Sequence, residues 1–375
     1  MPPYAQRIAC FDADAFFCRC AYLTWPERLA GVELLVVGGH PQRRGVVSSC
    51  SYAARQQGVH SGMSMARALA LAPGAVAAPV PWATVRAKSR QVFAVVRALA
   101  PVVERASVDE GYALLPGDDA EACAAAHAIR AAVLERTGIE TSWGVSRLRY
   151  LAKMATRPAK PGRGGDGVFV VPAGAELGFL DAHAPEQIPF LGPALAADLA
   201  KRGVTTIPSL RALDLRTLTL WLGPARARFV YERARGIDRG GVSDVPEPRK
   251  SVSSETTFER DVSDAALLDA ALDELVADLV QTLGRERFRA RTVSVKLRDA
   301  RFAERQKSRT LDEYVGSQRV ILHVARTLLR ESARALPGPY RLLHAGVSNL
   351  LGPGGAEQLR FREILPSLED EPVGT

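Results

Sequence analysis

Asp12, Asp109 and Glu110 are the residues of this 375-residue chain whose types and spacing most readily suggest chemistry. Asp12 ends the apolar run Ile8-Ala9-Cys10-Phe11, which reads as a short buried strand. Asp109-Glu110 follows a second run, Val102 to Val108. Two strands that each end in carboxylates can set three acids at one edge of a sheet. Clustered acids repel and desolvate one another, so the arrangement calls for a cation, and hard oxygen ligands favour Mg2+ or Mn2+. A trio of this kind suits two-metal phosphoryl or nucleotidyl transfer. The same spacing fits two unrelated strand ends with solvated acids equally well.

Other groups point to phosphate. Tyr52 and Arg55 stand at i and i+3, on one helix face. A guanidinium beside a phenol can clamp phosphate oxygens, although a surface Arg with a half-buried Tyr is the simpler reading. The loop Ala159 to Gly167 is glycine-rich and carries Lys160. Its backbone could approach a phosphate, but it lacks the Lys-Ser or Lys-Thr of a Walker loop, and a solvated hairpin loop fits as well. Ile188 to Leu199, followed by Gly203-Val204, reads as helix, glycine turn, helix. In a helix-hairpin-helix the turn amides hold a DNA phosphate without reading sequence; an ordinary helical hairpin competes. Between Arg285 and Arg309 ten basic residues face three acidic ones. On that strand Ala290, Thr292, Ser294, Lys296 and Arg298 share one face, polar and basic, suited either to a phosphate backbone or to solvent.

These groups need elements to position them. A strand within 1–15 leads to a helix from Ala15, with Asp14 as its N-cap. Strands are expected at 33–39 and 45–50, helices at 52–57, 64–71 and 84–99. Beyond the acidic pair come helix 119–136, strand 141–146 and helix 148–157. This alternation indicates an α/β or α+β catalytic domain over 1–173. Residues 174–237 read as helical. Gly236 to Lys250, with Gly240, Gly241, Pro246 and Pro248, has linker composition. From 251 to 350, strands at 252–258, 290–298 and 341–349 and helices at 264–284 and 316–335 make a smaller α+β domain. Residues 351–375 read as a loose tail.

The length exceeds what one hydrophobic core usually serves, so two to four domains are expected. A net charge of +8 and a pI near 9.4 favour a polyanionic partner. Arginine outnumbers lysine six to one, which GC-rich coding explains as readily as recognition does. Cys10, Cys18, Cys20, Cys50 and Cys123 lack zinc-ligand spacing and read as reduced, mostly buried residues of a cytosolic protein. No secretory pattern opens the chain and no apolar run approaches a membrane span.

Taken in order, the segments resemble the Y-family DNA polymerases of the bacterial DinB type, over roughly residues 5–350. The resemblance rests on Asp12-Ala13-Asp14-Ala15-Phe16-Phe17, on Ser51-Tyr52-Ala53-Ala54-Arg55 with Gly58-Val59 and Ser61-Gly62-Met63, and on Ser107-Val108-Asp109-Glu110-Gly111-Tyr112. Ala152-Lys153, Ala159-Lys160-Pro161, the hairpin at Gly192 and Arg249-Lys250-Ser251 complete it. It implies an α+β multidomain right hand. The ferredoxin-like palm would take 1–15 and 81–173, small fingers 16–80, a helix-hairpin-helix thumb 174–239, a linker 240–250 and an α+β little finger 251–350. It carries over Asp12, Asp109 and Glu110 as metal ligands, with the Ala13 carbonyl completing one of two Mg2+ ions, for which Mn2+ can substitute. Tyr52, Arg55 and Lys160 become triphosphate contacts and Ser49 a weaker one. Phe17 would sit under the sugar, and Val46 and Ser48 would roof the nascent pair. Adjacent side chains on a regular strand face opposite ways, so Asp109 and Glu110 imply a strand end or a local distortion.

Departures from the family pattern are Gly111, Leu114, Ala21, Ser64 and Phe190. None removes an implied ligand. The expectation is a monomeric cytoplasmic translesion polymerase acting on primer-template DNA and dNTPs. The alternatives are a catalytically inactive damage-response scaffold and a nucleotide cyclase with a similar palm. Gln358-Leu359-Arg360-Phe361 loosely resembles a sliding-clamp peptide, and a random polar tail fits it better.

Overall fold

The computed structural model describes residues 6–353, and the chain divides into two compact units at Pro246/Glu247. The first unit opens with β1 (Gln6–Ala13) and α1 (Phe16–Thr24), followed by β2 (Leu35–Gly38), β3 (Val47–Cys50), α2 (Tyr52–Gln56), α3 (Met65–Leu71) and β4 (Val76–Ala78). Next come α4 (Trp82–Leu99), β5 (Val103–Arg105), β6 (Glu110–Pro116), α5 (Asp119–Thr137), β7 (Thr141–Ser146), α6 (Arg149–Ala159) and β8 (Val168–Val170). Helices α7 (Glu176–Asp181), α8 (Gly192–Ala200), α9 (Ile207–Ala212), α10 (Leu215–Leu222) and α11 (Pro224–Ala234) complete it.

The main sheet has the order β5-β6-β1-β7-β8, with β1 in the centre and antiparallel to both neighbours. Strand alternation sends Ala9, Phe11 and Ala13 into a core with Val92, Phe93 and Val96 of α4 and Ala126, Ile129 and Val133 of α5. Phe11 stacks on Trp143 with ring centroids 5.0 Å apart, and both are fully buried. Each such ring stabilises the fold by roughly 1.5–3 kcal/mol. Cys10 faces the other side of β1, with Tyr112 and Ala152 of α6. The small sheet β3-β2-β4 packs through Val36, Val47, Met65 and Ala68. The helical part of the unit has its own core, including Leu199, Ile207, Leu210 and Val230, and it is continuous with Leu151 and Met154 of α6.

The second unit holds β9 (Ser251–Val262), α12 (Ala265–Glu286), β10 (Arg289–Asp299), β11 (Glu304–Val315), α13 (Gln318–Ala335) and β12 (Tyr340–Leu351). Its antiparallel sheet has the order β11-β10-β12-β9, and Leu272, Leu279, Ile321 and Leu328 of the two helices pack with Val293, Val295 and Leu297.

Several sequence expectations change. Asp14 does not cap α1: the N-cap is Ala15, in the left-handed region at φ 44°, with no side-chain cap bond. The second acidic pair does not end a strand. β5 stops at Arg105, Asp109 lies in the following turn and Glu110 opens β6. The thumb-like run is not helical from Ile188. The helix starts at Gly192, and Phe190 holds φ 68° where glycine would be unstrained. The alternation on β10 breaks at a bulge between Ala290 and Thr292, so Ala290 joins the core. The remaining polar face is not simply basic, because Lys296 meets Glu255 (3.7 Å) and Glu304 (4.0 Å), and Arg298 pairs with Glu304. β11 was not expected, since its exposed polar residues carry little strand pattern. Gln358 to Phe361 lie outside the described residues.

Candidate active site

In the cross-strand register Asp12 stands opposite Glu110 of β6 and Ser142 of β7. Paired residues on adjacent strands present their side chains on one face. Asp109 lies in the tight turn that runs into β6. Ser107 Oγ accepts the Asp109 and Glu110 N–H groups at 3.1 and 3.0 Å and donates to Asp109 Oδ1 at 2.5 Å. The Ala13 N–H donates to the Asp109 carbonyl at 2.9 Å, which ties this turn to the end of β1. The Val108 carbonyl accepts a bond from the buried Ser89 of α4. The local distortion expected at the acidic pair is therefore a turn running into a strand start, with Asp109 Oδ1 held by Ser107 and Glu110 paired with Lys153.

Two ammonium groups lie between the carboxylates. Lys153, midway along α6, pairs with Glu110 and reaches Asp12 Oδ2 at 3.8 Å. Lys160, just past the end of α6 and seven residues on, donates to Asp12 Oδ1 at 2.5 Å and Asp14 Oδ1 at 2.9 Å. Burial alone would lower the Lys160 ammonium, but the charges of Asp12 and Asp14 outweigh it and hold it well above its usual range. Lys153 is likewise raised, burial being opposed by Cys10, Glu110 and Asp12.

The donor chemistry suits a hard divalent ion. Asp12, Asp109 and Glu110 supply only oxygen, and the nearby Cys10 thiol, 3.8 Å from Glu110 Oε1, is pushed up by burial and by the charge of Glu110, away from thiolate. Among the described residues no three of His, Cys, Asp and Glu are gathered closely enough to hold an ion as they stand. The lysines stand as counter-ions to these carboxylates.

The remaining sequence-derived residues surround this edge unevenly. Tyr52 donates to Asp14 Oδ1 at 3.1 Å, and the Arg55 guanidinium lies over its ring at 5.3 Å. Burial and the Asp14 charge push the Tyr52 phenol up to about 12. The glycine-rich loop serves this tyrosine: a Cβ on Gly162 would come 2.7 Å from the Tyr52 ring. Phe17 is half-buried and edge-on to Trp82 at 5.8 Å, whereas its neighbour Phe16 is core. Val46 and Ser48 are exposed, but Ser49 faces inward, its hydroxyl 3.8 Å from Cys18 Sγ.

Sequence reasoning gave Asp14 only the role of a helix cap and left Lys153 without one. It also passed over a cleft of about 340 Å3 where Arg157, His183 and Gln187 join Asp12, Lys153 and Lys160. The seven-residue spacing of Lys153 on α6 and Lys160 just past its end was the available signal for Lys153. Nothing local marked His183 and Gln187, which tertiary packing brings in. The five cysteines are free thiols, and among the described residues no helix is long and apolar enough to cross a membrane.

The chain is similar to known proteins along most of its length. The impB/mucB/samB family model matches residues 11–157, and the model of the same family's C-terminal domain matches 249–361. DNA polymerase IV of Exiguobacterium sibiricum is 33% identical over 362 residues, covering 96% of this chain and 98% of that protein. DNA polymerase IV of Methanoculleus marisnigri is 37% identical over 348 residues, covering 91% and 93%. Among solved structures, the Y-family DNA polymerase chimera Dbh-Dpo4(243-245)-Dbh superposes with a TM-score of 0.81 at 23% identity, covering 92% of this chain and all of that one. An insertion ternary complex of Dbh DNA polymerase gives 0.60 at 22% identity, with the same coverage.

Proposed function

We propose, for a chain that belongs to the impB/mucB/samB family of Y-family DNA polymerases, that the Asp12–Asp109–Glu110 edge is where a primer 3′-hydroxyl meets the α-phosphate of an incoming dNTP. The protein is a DNA-directed DNA polymerase of the translesion type. In this reading residues 1–15 and 81–173 form the palm, 16–80 the fingers, 174–239 the thumb, 240–250 the linker and 251–350 the little finger. The enzyme works as a monomer in the cytoplasm on primer-template DNA. The observation that carries the site is the register that sets Asp12 opposite Glu110, with the Ala13 N–H bound to the Asp109 carbonyl.

Asp12, Asp109, Glu110 and the Ala13 carbonyl would hold two divalent ions, Mg2+ with Mn2+ able to substitute. Bound there, the ions lower the pKa of the attacking hydroxyl and neutralise charge on the triphosphate. The chain's own residues do the rest. Arg55 offers a fixed positive fork to phosphate oxygens, Tyr52 a directional hydroxyl, and Lys160 a charge that its two carboxylate partners keep protonated. Phe17, braced by Trp82, lies under the sugar. Ser49, buried beside Cys18, would be the weaker triphosphate contact, and the exposed Val46 and Ser48 would roof the nascent pair.

Primer extension on undamaged template tests the reading. We expect template-dependent products that require Mg2+ or Mn2+ and stop on chelation. Product formed from ATP or GTP alone, without template, would mark a nucleotide cyclase instead. A folded protein that binds DNA and never extends would be the inactive scaffold.

A further inference from the structure

Asp14 is the one carboxylate of the cluster not given a role above. It is also the most deeply buried, with its side chain 2% exposed. Three groups converge on it from three different elements. Tyr52 of α2 donates its hydroxyl to Oδ1 at 3.1 Å, Lys160 beyond α6 donates to the same Oδ1 at 2.9 Å, and Ser142 of β7 donates to Oδ2 at 2.7 Å. Its backbone N–H donates to the Glu140 carbonyl at 2.9 Å, so the residue is held at both ends.

The backbone around it is bent to make this possible. An aspartate just before a helix ordinarily turns its oxygens to the first free N–H groups of that helix. Here Ala15 takes the N-cap position in the left-handed region, a conformation uncommon for a residue with a Cβ, and α1 goes without a side-chain cap. Two local preferences are thus set aside, and what the chain gains is a carboxylate aimed into the site. Backbone strain of this kind persists where the surrounding structure enforces it, commonly beside functional groups.

From this convergence we propose that Asp14 is a positioning residue for nucleotide binding: it holds the Tyr52 hydroxyl and the Lys160 ammonium side by side until a triphosphate arrives, when the single Tyr52 proton turns from Asp14 Oδ1 to a phosphate oxygen and Lys160, with three N–H donors, keeps its bond to Asp14. The proposal rests on the reading of Tyr52 and Lys160 as triphosphate contacts. Lys160 is shared between Asp12 and Asp14. When Asp12 turns to another partner, Asp14 alone keeps the ammonium in place. Ser142 donates to the second oxygen of the carboxylate, which fixes the carboxylate plane and leaves Oδ1 for the two working groups. Asp14 itself touches no substrate in this scheme, because its oxygens are enclosed by its three partners.

The test uses the full-length enzyme with primer-template DNA. Single-nucleotide insertion gives kcat and KM for dNTP. Equilibrium dNTP binding to the complex with a dideoxy-terminated primer gives affinity without chemistry. For Asp14→Ala we expect KM and the dissociation constant to rise tenfold or more, while kcat falls less than threefold and primer-template affinity holds. Asp14→Asn keeps an acceptor for Tyr52 but loses the charge opposite Lys160, so it should recover part of the loss. Combined with Tyr52→Phe, Asp14→Asn should add less than the product of the two single effects. If Asp14→Ala does not fold, the Asp14→Asn and Tyr52→Phe cycle decides alone. Wild-type dNTP affinity in a folded Asp14 variant, or strictly multiplicative effects in the cycle, would overturn the proposal. Tyr52→Phe and Lys160→Ala separate the two levels. If they weaken dNTP binding while Asp14 variants do not, only the positioning role fails. If they too leave binding unchanged, the triphosphate assignment fails.

Discussion

Gly111, one residue after the acidic pair, is a departure from the family pattern that packing explains. A Cβ there would lie 2.6 Å from the Phe11 ring, 2.7 Å from the Phe93 ring and 2.7 Å from the Glu104 carbonyl. The aromatic pair fills the space an alanine would use. We expect Gly111→Ala to destabilise the first unit by about 1–3 kcal/mol, measured by urea unfolding; an unchanged midpoint would mean the rings can give way. Phe17 belongs at the same scale. Held edge-on by Trp82 five residues after Asp12, it can obstruct a 2′-hydroxyl, and a steric clash discriminates more strongly than a lost contact. We expect Phe17→Ala to raise ribonucleotide insertion by orders of magnitude with a far smaller loss for deoxynucleotides. Equal dNTP to rNTP efficiency ratios in wild type and variant would refute the gate. The pairing of Asp12 with Glu110 at one sheet edge was legible because acids beside apolar strands stand out. Asp14 was not, because an acid before a helix has a cheaper local explanation as a cap, and only the left-handed Ala15 reveals that tertiary bonding won.

Elements join through a clamp two residues along β6 from the acidic pair, where Glu104 stands opposite Tyr112. Arg149, opening α6, donates to both oxygens of Glu104 at 2.6 and 2.5 Å, lies 3.7 Å over the Tyr112 ring and donates to the Gly241 carbonyl at 2.8 Å. The Ser243 N–H donates to Glu104 at 3.1 Å, and Val242 packs near Cys10 and Tyr112. Part of the linker-like segment is therefore bound to the main sheet. Composition gave no sign of this, since glycine and proline report the absence of regular structure and not the absence of partners. Burial would raise the Glu104 carboxyl, but the Arg149 and Ser243 bonds outweigh it and hold it below the usual range. A depressed folded value stabilises above the unfolded value near 4.5 and is lost as pH falls through the folded one. We expect Glu104→Gln to melt below wild type at neutral pH, with the gap closing as pH drops below about 4.5. Hydrogen exchange at Val242 and Ser243 should quicken in the variant. A gap that persists unchanged to low pH would assign the clamp no electrostatic part.

At the scale of the molecule, two units and a basic balance were readable from length, charge and the change of pattern near residue 250. The face of the second sheet was not, because its bulge and its Glu255 and Glu304 partners appear only once strands pair. We expect DNA binding to ignore sequence and fall steeply with salt, and removal of residues 247–375 to lower both affinity and the salt slope while the first unit stays folded. Affinity insensitive to salt, or unchanged by the removal, would contradict a phosphate-binding role for the second unit. All of this depends on the carboxylate edge doing the chemistry. The most direct measurement is single-nucleotide insertion on undamaged primer-template with Mg2+ by Asp109→Ala, beside its melting temperature and DNA affinity. We expect insertion to drop by about 10³-fold or more, the loss of several kcal/mol of charge stabilisation, with folding and DNA binding intact. Near wild-type insertion by the folded variant would contradict the assignment of Asp12, Asp109 and Glu110 as the catalytic trio.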